Sequence, residues 1–169
     1  MNETNRKLPE ALRADCSRCA GLCCVAPAFY SVQGFGFDKP AHRACAYLTT
    51  QNHCAIHSER AARGFPACET FDCFGAGQRV TQELFHGADW RASRDVAVRM
   101  YSAYACVAAL HRLMALLAVA EVYAPSPRDG QLRAKRLELD ELCRSERARR
   151  GAVDVAAARR EVMSLVRRE

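Results

Sequence analysis

The sequence predicts an α-rich chain with minor β content, in which an irregular, metal-stapled, cysteine-rich half packs on a three-helix bundle. Two distributions and one periodicity lead to this reading. Of ten cysteines, eight lie between Cys16 and Cys73, and only Cys106 and Cys143 fall later. Glycine gathers in the same stretch, at Gly34, Gly36, Gly64, Gly75 and Gly77 among others. A segment rich in both, with short apolar runs, builds little core unaided and relies on staples. From about Ser93 onward, apolar residues recur at helical spacing. The chain therefore divides into residues 1–92, cysteine-rich and metal-binding, and residues 93–169, helical, the two forming one compact unit.

Ser93 caps a helix whose apolar positions Val96, Met100, Tyr104, Val107, Leu110, Met114 and Leu117 recur every three or four residues. It runs to about Tyr123 and stops at Ala124-Pro125-Ser126-Pro127, because proline opposes helix in itself and in the residue before it. A second helix fits Gln131 to about Arg149, ended by Gly151. A third starts after Asp154, an N-cap, and carries Val155, Ala158, Val162 and Leu165 on one side. Three antiparallel helices follow from these spans. In the first half, Glu10 to Ala14 reads as a short helix and Tyr30 to Phe37 as extended. Ala46 to Ile56, with Gln51-Asn52 at its middle, fits a hairpin.

Composition excludes several classes. Half the residues are hydrophobic and a quarter charged, so the chain is neither disordered nor fibrous. The opening MNETNRKLPEALRAD has no apolar run after its basic residues and does not read as a secretory signal. Val107 to Val122, interrupted by His111, Arg112 and Glu121, is too short and polar to span a bilayer. The expectation is a cytoplasmic protein without a membrane partner. In a reducing compartment, clustered cysteines indicate metal or redox chemistry rather than disulfides. The net charge of +6 is spread along the chain and interleaved with acids, as in Arg144-Ser145-Glu146-Arg147. No basic stripe alternates with aromatics, so nucleic-acid binding is not expected.

The thiols themselves carry the chemistry. The first group is Cys16-x2-Cys19-x3-Cys23-Cys24. Two residues between cysteines let both thiolates turn to one centre while the intervening amides point at the sulfurs. Gly21 supplies the backbone freedom for Cys23 to join them. Adjacent side chains point apart, so Cys23 and Cys24 are not expected to serve one ion together: one is a ligand and the other core, or they serve two neighbouring centres. The second group is Cys45, Cys54, Cys68 and Cys73, with His53 and His57 beside Cys54 as substitutes for a thiolate. Eight thiols complete two four-ligand sites, or one with spare residues. Close-spaced thiolates lean the first group to an iron–sulfur cluster, and neighbouring histidines lean the second to Zn2+. His57 is equally readable as a surface residue. Cys106 and Cys143, alone in helices, read as core, and His42, His86 and His111 as structural or solvated.

Other motifs fail. Radical-SAM enzymes use Cys-x3-Cys-x2-Cys, the reverse order of gaps. No βαβ frame supports a thioredoxin pair. Gly34-Phe35-Gly36 and Gly75-Ala76-Gly77 complete no phosphate loop, and no Ser/His/Asp set or carboxylate pair stands out.

At these cysteines the sequence resembles the YkgJ-type cysteine-cluster proteins, known as zinc- or iron-chelating domains. Their hallmark is Cys-x2-Cys…Cys-Cys followed by dispersed cysteines, one in a Cys-x-Ile-His segment. The matching positions are Cys16, Cys19, Cys23 and Cys24, then Cys45, Cys54-Ala55-Ile56-His57, Cys68 and Cys73. The chain is also similar to the cysteine-rich amino-terminal region of bacterial pentapeptide-repeat proteins. Asp15-Cys16-Ser17-Arg18-Cys19, Phe37-Asp38-Lys39-Pro40, Arg63-Gly64-Phe65-Pro66 and Phe71-Asp72-Cys73-Phe74-Gly75-Ala76-Gly77-Gln78 carry that likeness, with Asp89-Trp90-Arg91 and Val153-Asp154-Val155 beyond. The Ala-Asp/Asn-Leu-x-x repeats themselves are absent, so nothing borne by their β-helix transfers. Protein methylases with an iron–sulfur cluster are distant relatives of the first cysteine group alone.

The resemblance implies metal binding, with Cys16, Cys19 and Cys23 as the first ligands. Two alternatives stand beside it: an enzyme using a cluster or open metal site on a protein or small molecule, and a metal-stabilised module whose helices bind a protein partner. Substrate and oligomeric state are not encoded legibly.

Overall fold

The computed structural model describes residues 8–167. The fold is α-rich, and its longest element is helix α4, Arg94–Tyr123. The remaining helices are α1 (Leu22–Val25), α2 (Pro66–Thr70), α3 (Ala76–Gln78), α5 (Arg128–Cys143), α6 (Glu146–Arg149) and α7 (Val155–Arg167). A π-helical turn, Arg79–Leu84, continues α3, and short 3-10 turns punctuate the first half. No sheet forms among the described residues. β pairing is confined to the isolated bridges Phe29↔Lys39 and Leu48↔Cys54.

Helix α4 begins where the sequence places it, with Ser93 Oγ accepting the Val96 amide at 3.2 Å. It ends at Ala124, which is extended ahead of Pro125. Met100, Tyr104, Val107, Leu110, Met114 and Leu117 are all buried on it. Among the described residues this helix alone is long and apolar enough to cross a bilayer, with mean hydropathy 1.8, but half of that window is buried inside the chain. It is the core helix on which α5, α6 and α7 pack.

Two expectations need correction in detail. The second helix starts at Arg128, earlier than expected, and does not run on to Arg149. It breaks at Arg144, after which Ser145 Oγ accepts the Ala148 amide at 3.2 Å and opens α6 as a new helix. An internal serine that finds a capping geometry competes with helix continuation. Gly151 then turns the chain at φ +66, packed so closely on Ser102 that an added Cβ would stand 2.8 Å from its carbonyl oxygen. The third helix follows as expected, with Asp154 accepting the Ala157 amide at 2.8 Å and Ala158 and Val162 buried.

In the first half, Tyr30–Phe37 is not extended; Ser31–Gln33 forms a 3-10 turn, which ends at Gly34 with φ +88. The expected hairpin is reduced to the Leu48↔Cys54 bridge, tightened by Thr49 donating to His53 and Ala55 to Tyr47, both at 2.8 Å. This half contributes Leu12, Leu22, Val25, Val80 and Leu84 to the same core as α4. Buried Arg79 ties the halves electrostatically, its guanidinium 2.6 Å from Asp140 of α5.

His111, buried in the middle of α4, makes a second tie. Its Nδ1 lies 2.5 Å from the Phe74 carbonyl. A carbonyl only accepts, so Nδ1 carries the proton and Nε2 is the bare nitrogen, with no partner among the described residues. Burial pushes the imidazole pKa down to about 4. The unfolded chain, near the ordinary 6.5, therefore takes up the proton first. The stability that neutral His111 supplies is fully present above pH 6.5 and is lost as pH falls to about 4. The loss amounts to about 3 kcal/mol at most. His111→Gln keeps a donor for Phe74 and gains no proton, so its urea midpoint should fall less steeply than wild type across this window. Equal slopes would refute the assignment.

Candidate metal centre

The first thiol loop is held by side chains from the helical segment that follows Gly75. Gln82 Nε2 donates to the Arg18 carbonyl at 2.9 Å, and the Ala20 amide donates to Thr81 Oγ1 at 3.0 Å. Thr81 passes its own proton back to Gly77 O at 2.9 Å. Trp90 Nε1 donates to the Ala20 carbonyl at 2.9 Å. The Arg18 carbonyl and both backbone groups of Ala20, on either side of Cys19, are thus engaged, which fixes the loop's path. Asp15 shapes its start, accepting from the Ser17 amide and hydroxyl at 3.0 and 2.6 Å. Gly21 then turns at φ +69, with Leu48 and the Asn52 carbonyl against the place a Cβ would occupy, and α1 follows.

Helix α1 carries Cys23 and Cys24. Their sulfurs lie 3.9 Å apart, which corrects the expectation that neighbouring side chains diverge. The Cys45 amide donates to the Cys24 carbonyl at 2.9 Å, bringing the hairpin-like segment onto α1. Cys54 arrives opposite Leu48 on the bridge, and Cys68 on α2. Cys73 precedes two left-handed residues, Phe74 at φ +48 and Gly75 at φ +79, a reversal held by Asp72 accepting the Phe74 amide at 2.6 Å.

Four of the eight thiols accept a backbone amide from the residue two positions on: Cys19 from Gly21, Cys45 from Tyr47, Cys54 from Ile56 and Cys73 from Gly75. Leu22 and Gly77 add further amides to Cys19 and Cys73. Such bonds favour the thiolate and tune metal-bound sulfur. Burial opposes them. It pushes the Cys19 thiol up to about 12 and Cys16 and Cys68 up to about 11, and raises Cys45 and Cys73. Cys24, its sulfur 3.9 Å from that of Cys23, is held strongly protonated, while Cys23 and Cys54 beside it are drawn down toward thiolate.

Neighbourhoods among the thiols follow a pattern. Cys16 and Cys19 both lie in the electrostatic field of Cys23 and Cys73. Cys68 lies in that of Cys23, Cys45 and Cys54, and Cys24 in that of Cys23 and Cys54. Among the described residues, no three His, Cys, Asp or Glu side chains already stand close enough to hold one ion. The thiols are neighbourhoods, not a closed coordination shell. His57 is exposed, and its charged neighbour is Arg60. Cys106 and Cys143 are buried in the helical half.

Two residues join the thiols that spacing did not single out. Arg60 is the cation facing Cys16, Cys23, Cys54 and Cys68, and its Nε is buried without a partner among the described residues. The Tyr104 hydroxyl is likewise buried and unpartnered, facing Cys19, Cys23 and Cys73. Two surface grooves, of about 490 and 560 Å³, border none of the thiols; the first lies between α5 and α7, the second between Leu8, Pro9 and Arg13 and helices α4 and α5.

Fold and thiols define a helical, cysteine-rich class of protein. Over 152 residues the chain is 34% identical to the uncharacterized protein YybG of Bacillus subtilis (strain 168), an alignment that covers 89% of this chain and 54% of YybG. The chain thus spans about half the length of that relative. No family model matches it, and no solved structure does.

Close packing at Cys19 offers a direct check. A Cβ built on Gly77 would stand 2.6 Å from Cys19 Sγ. Gly77→Ala raises helix propensity yet should destabilise the fold by about 1–3 kcal/mol in urea denaturation, because the sulfur must move. A stabilised variant would show that Cys19 is not held where described.

Proposed function

We propose that this chain is a metal-binding protein of a reducing compartment such as the cytoplasm, holding an iron–sulfur cluster or Zn2+ through Cys16, Cys19, Cys23, Cys24, Cys45, Cys54, Cys68 and Cys73. One observation carries the reading: eight thiols share a neighbourhood in which four are already cradled by amides at the two-residue spacing. The donor set fits such a group. Thiols this buried resist ionisation alone, whereas a bound cation makes the thiolate the stable form. When bound, an iron–sulfur cluster would supply redox chemistry and zinc a structural staple. The protein's own residues order the loop, exclude water around Cys19 and Cys73, and place Arg60 against thiolate charge.

Protein purified without oxygen should carry iron with acid-labile sulfide, or zinc without it. Cys19→Ser should lower metal content and melting temperature together, since binding free energy in such a site is folding free energy. Unchanged values for both would remove Cys19 from the ligand set. Wild-type protein holding neither metal, with its thiols free, would end the metal reading.

A protein-interaction role is favoured by a separate observation. Leu116, Val119, Val122 and Tyr123 are exposed toward the end of α4 at spacings of three and one, an apolar stripe well along the helix from exposed Val98. Val122→Glu should leave metal content unchanged and abolish self-association measured by light scattering. Wild-type protein that stays monomeric at all concentrations would count against a self-association face.

A further inference from the structure

We propose that the eight thiols form two separate four-thiolate centres lying side by side. Cys16, Cys19, Cys23 and Cys73 make the first. Cys24, Cys45, Cys54 and Cys68 make the second. Each would take one metal ion or cluster, and the inference rests on the metal-binding reading above.

The division follows from how the chain delivers the sulfurs. The first set comes from the loop before α1 and from the Cys73 reversal, both fastened to the α3 segment and to α4. Gly77 packs on Cys19, and His111 holds the carbonyl of Phe74 beside Cys73. The second set comes from the other side of α1. The Cys45 segment pairs with the Cys24 carbonyl, the bridge presents Cys54, and α2 presents Cys68. Cys24 and Cys45 both have Cys54 as a neighbour, and Cys68 has Cys45 and Cys54, with Cys23 at the seam within the field of all three. Cys16 and Cys19 instead share Cys73.

Each set contains two of the four amide-cradled thiols, Cys19 and Cys73 in the first and Cys45 and Cys54 in the second. A single four-ligand site would leave such a cradled pair with nothing to serve. Consecutive residues Cys23 and Cys24 join the sets, their sulfurs 3.9 Å apart. The polar surroundings also differ. The unpartnered Tyr104 hydroxyl lies in the field of Cys19, Cys23 and Cys73, with Arg112 beyond, whereas the Lys39 ammonium, donating to the Val25, Pro27 and Pro40 carbonyls, lies in that of Cys24 and Cys45. A buried hydroxyl with no acceptor of its own is placed to donate to a thiolate of the first centre alone.

The test is a cobalt(II) titration of the full-length, fully reduced apoprotein without oxygen, read by thiolate-to-cobalt absorption. Wild type should saturate at two equivalents. Cys73→Ser and Cys54→Ser should each saturate at one, with helical circular dichroism retained. Tyr104→Phe should keep both equivalents but shift the bands of the component that Cys73→Ser removes. Wild-type saturation at one equivalent, or loss of both equivalents from a folded single variant, would overturn the two-centre division while leaving metal binding intact. No cobalt bound by wild type, with no metal in the purified protein, would instead overturn the underlying metal reading. Should the serine variants fail to fold, the wild-type equivalence point still decides.

Discussion

The placing of the first thiols depends on the contact between α1 and the long helix α4. Leu22 and Val25 are fully buried in the common core, and the residues between them are Cys23 and Cys24. A four-residue helix has no stability of its own. It persists because its apolar side is pressed against α4, and that pressure is what fixes where two consecutive thiols go. Val80 and Leu84 do the same for the segment whose side chains bind the Cys16–Ala20 loop. The Cys16–Cys24 loop and the α3 segment therefore borrow their rigidity from the helical half, whereas Phe37, Tyr47 and buried Phe65 pack on one another outside that core.

A second constraint is electrostatic. Eight thiols gathered in one region, most of them partly buried, cannot readily all ionise together, and the structure distributes the difficulty unevenly. Cys23 and Cys54 are drawn toward thiolate while Cys24 between them is held protonated, and Arg60 adds positive charge on the same side. The others are pushed the opposite way by burial. Such an arrangement is under tension in the absence of further positive charge, and the amides that converge on Cys19 and Cys73 are oriented for a charged sulfur, not a neutral one.

Much of the helical half was legible, because helix α4 and α7 show clean caps and clean apolar spacing. The break between α5 and α6 was not. Leu132, Leu139, Cys143 and Ala148 are all buried and continue an apolar face across it, so periodicity conceals the point where Ser145 caps a new helix. The irregular half resisted for another reason. Left-handed backbone falls on His42, Asn52, Phe74 and His86; asparagine and histidine are enriched there without being committed to it, and phenylalanine gives no sign of it. The cysteines were visible as candidates, but their grouping depends on contacts far apart in sequence. Tyr104 was readable only as a core position, since its spacing suits one and nothing in sequence marks an unsatisfied hydroxyl. Arg60 sits among ordinary surface arginines in the sequence and is distinguished only by what surrounds it.

Trp90 is the one tryptophan in the chain, and its indole is bonded to the carbonyl of Ala20, the residue after Cys19. Its ring stands 6.0 Å from Tyr101 of α4, with the Arg91 guanidinium 4.2 Å above it. The protein thus contains its own fluorophore at the seam between thiol loop and long helix. Its emission monitors one place rather than an average, so ordering or loosening of the Cys16–Cys24 loop is open to optical observation in the unlabelled chain.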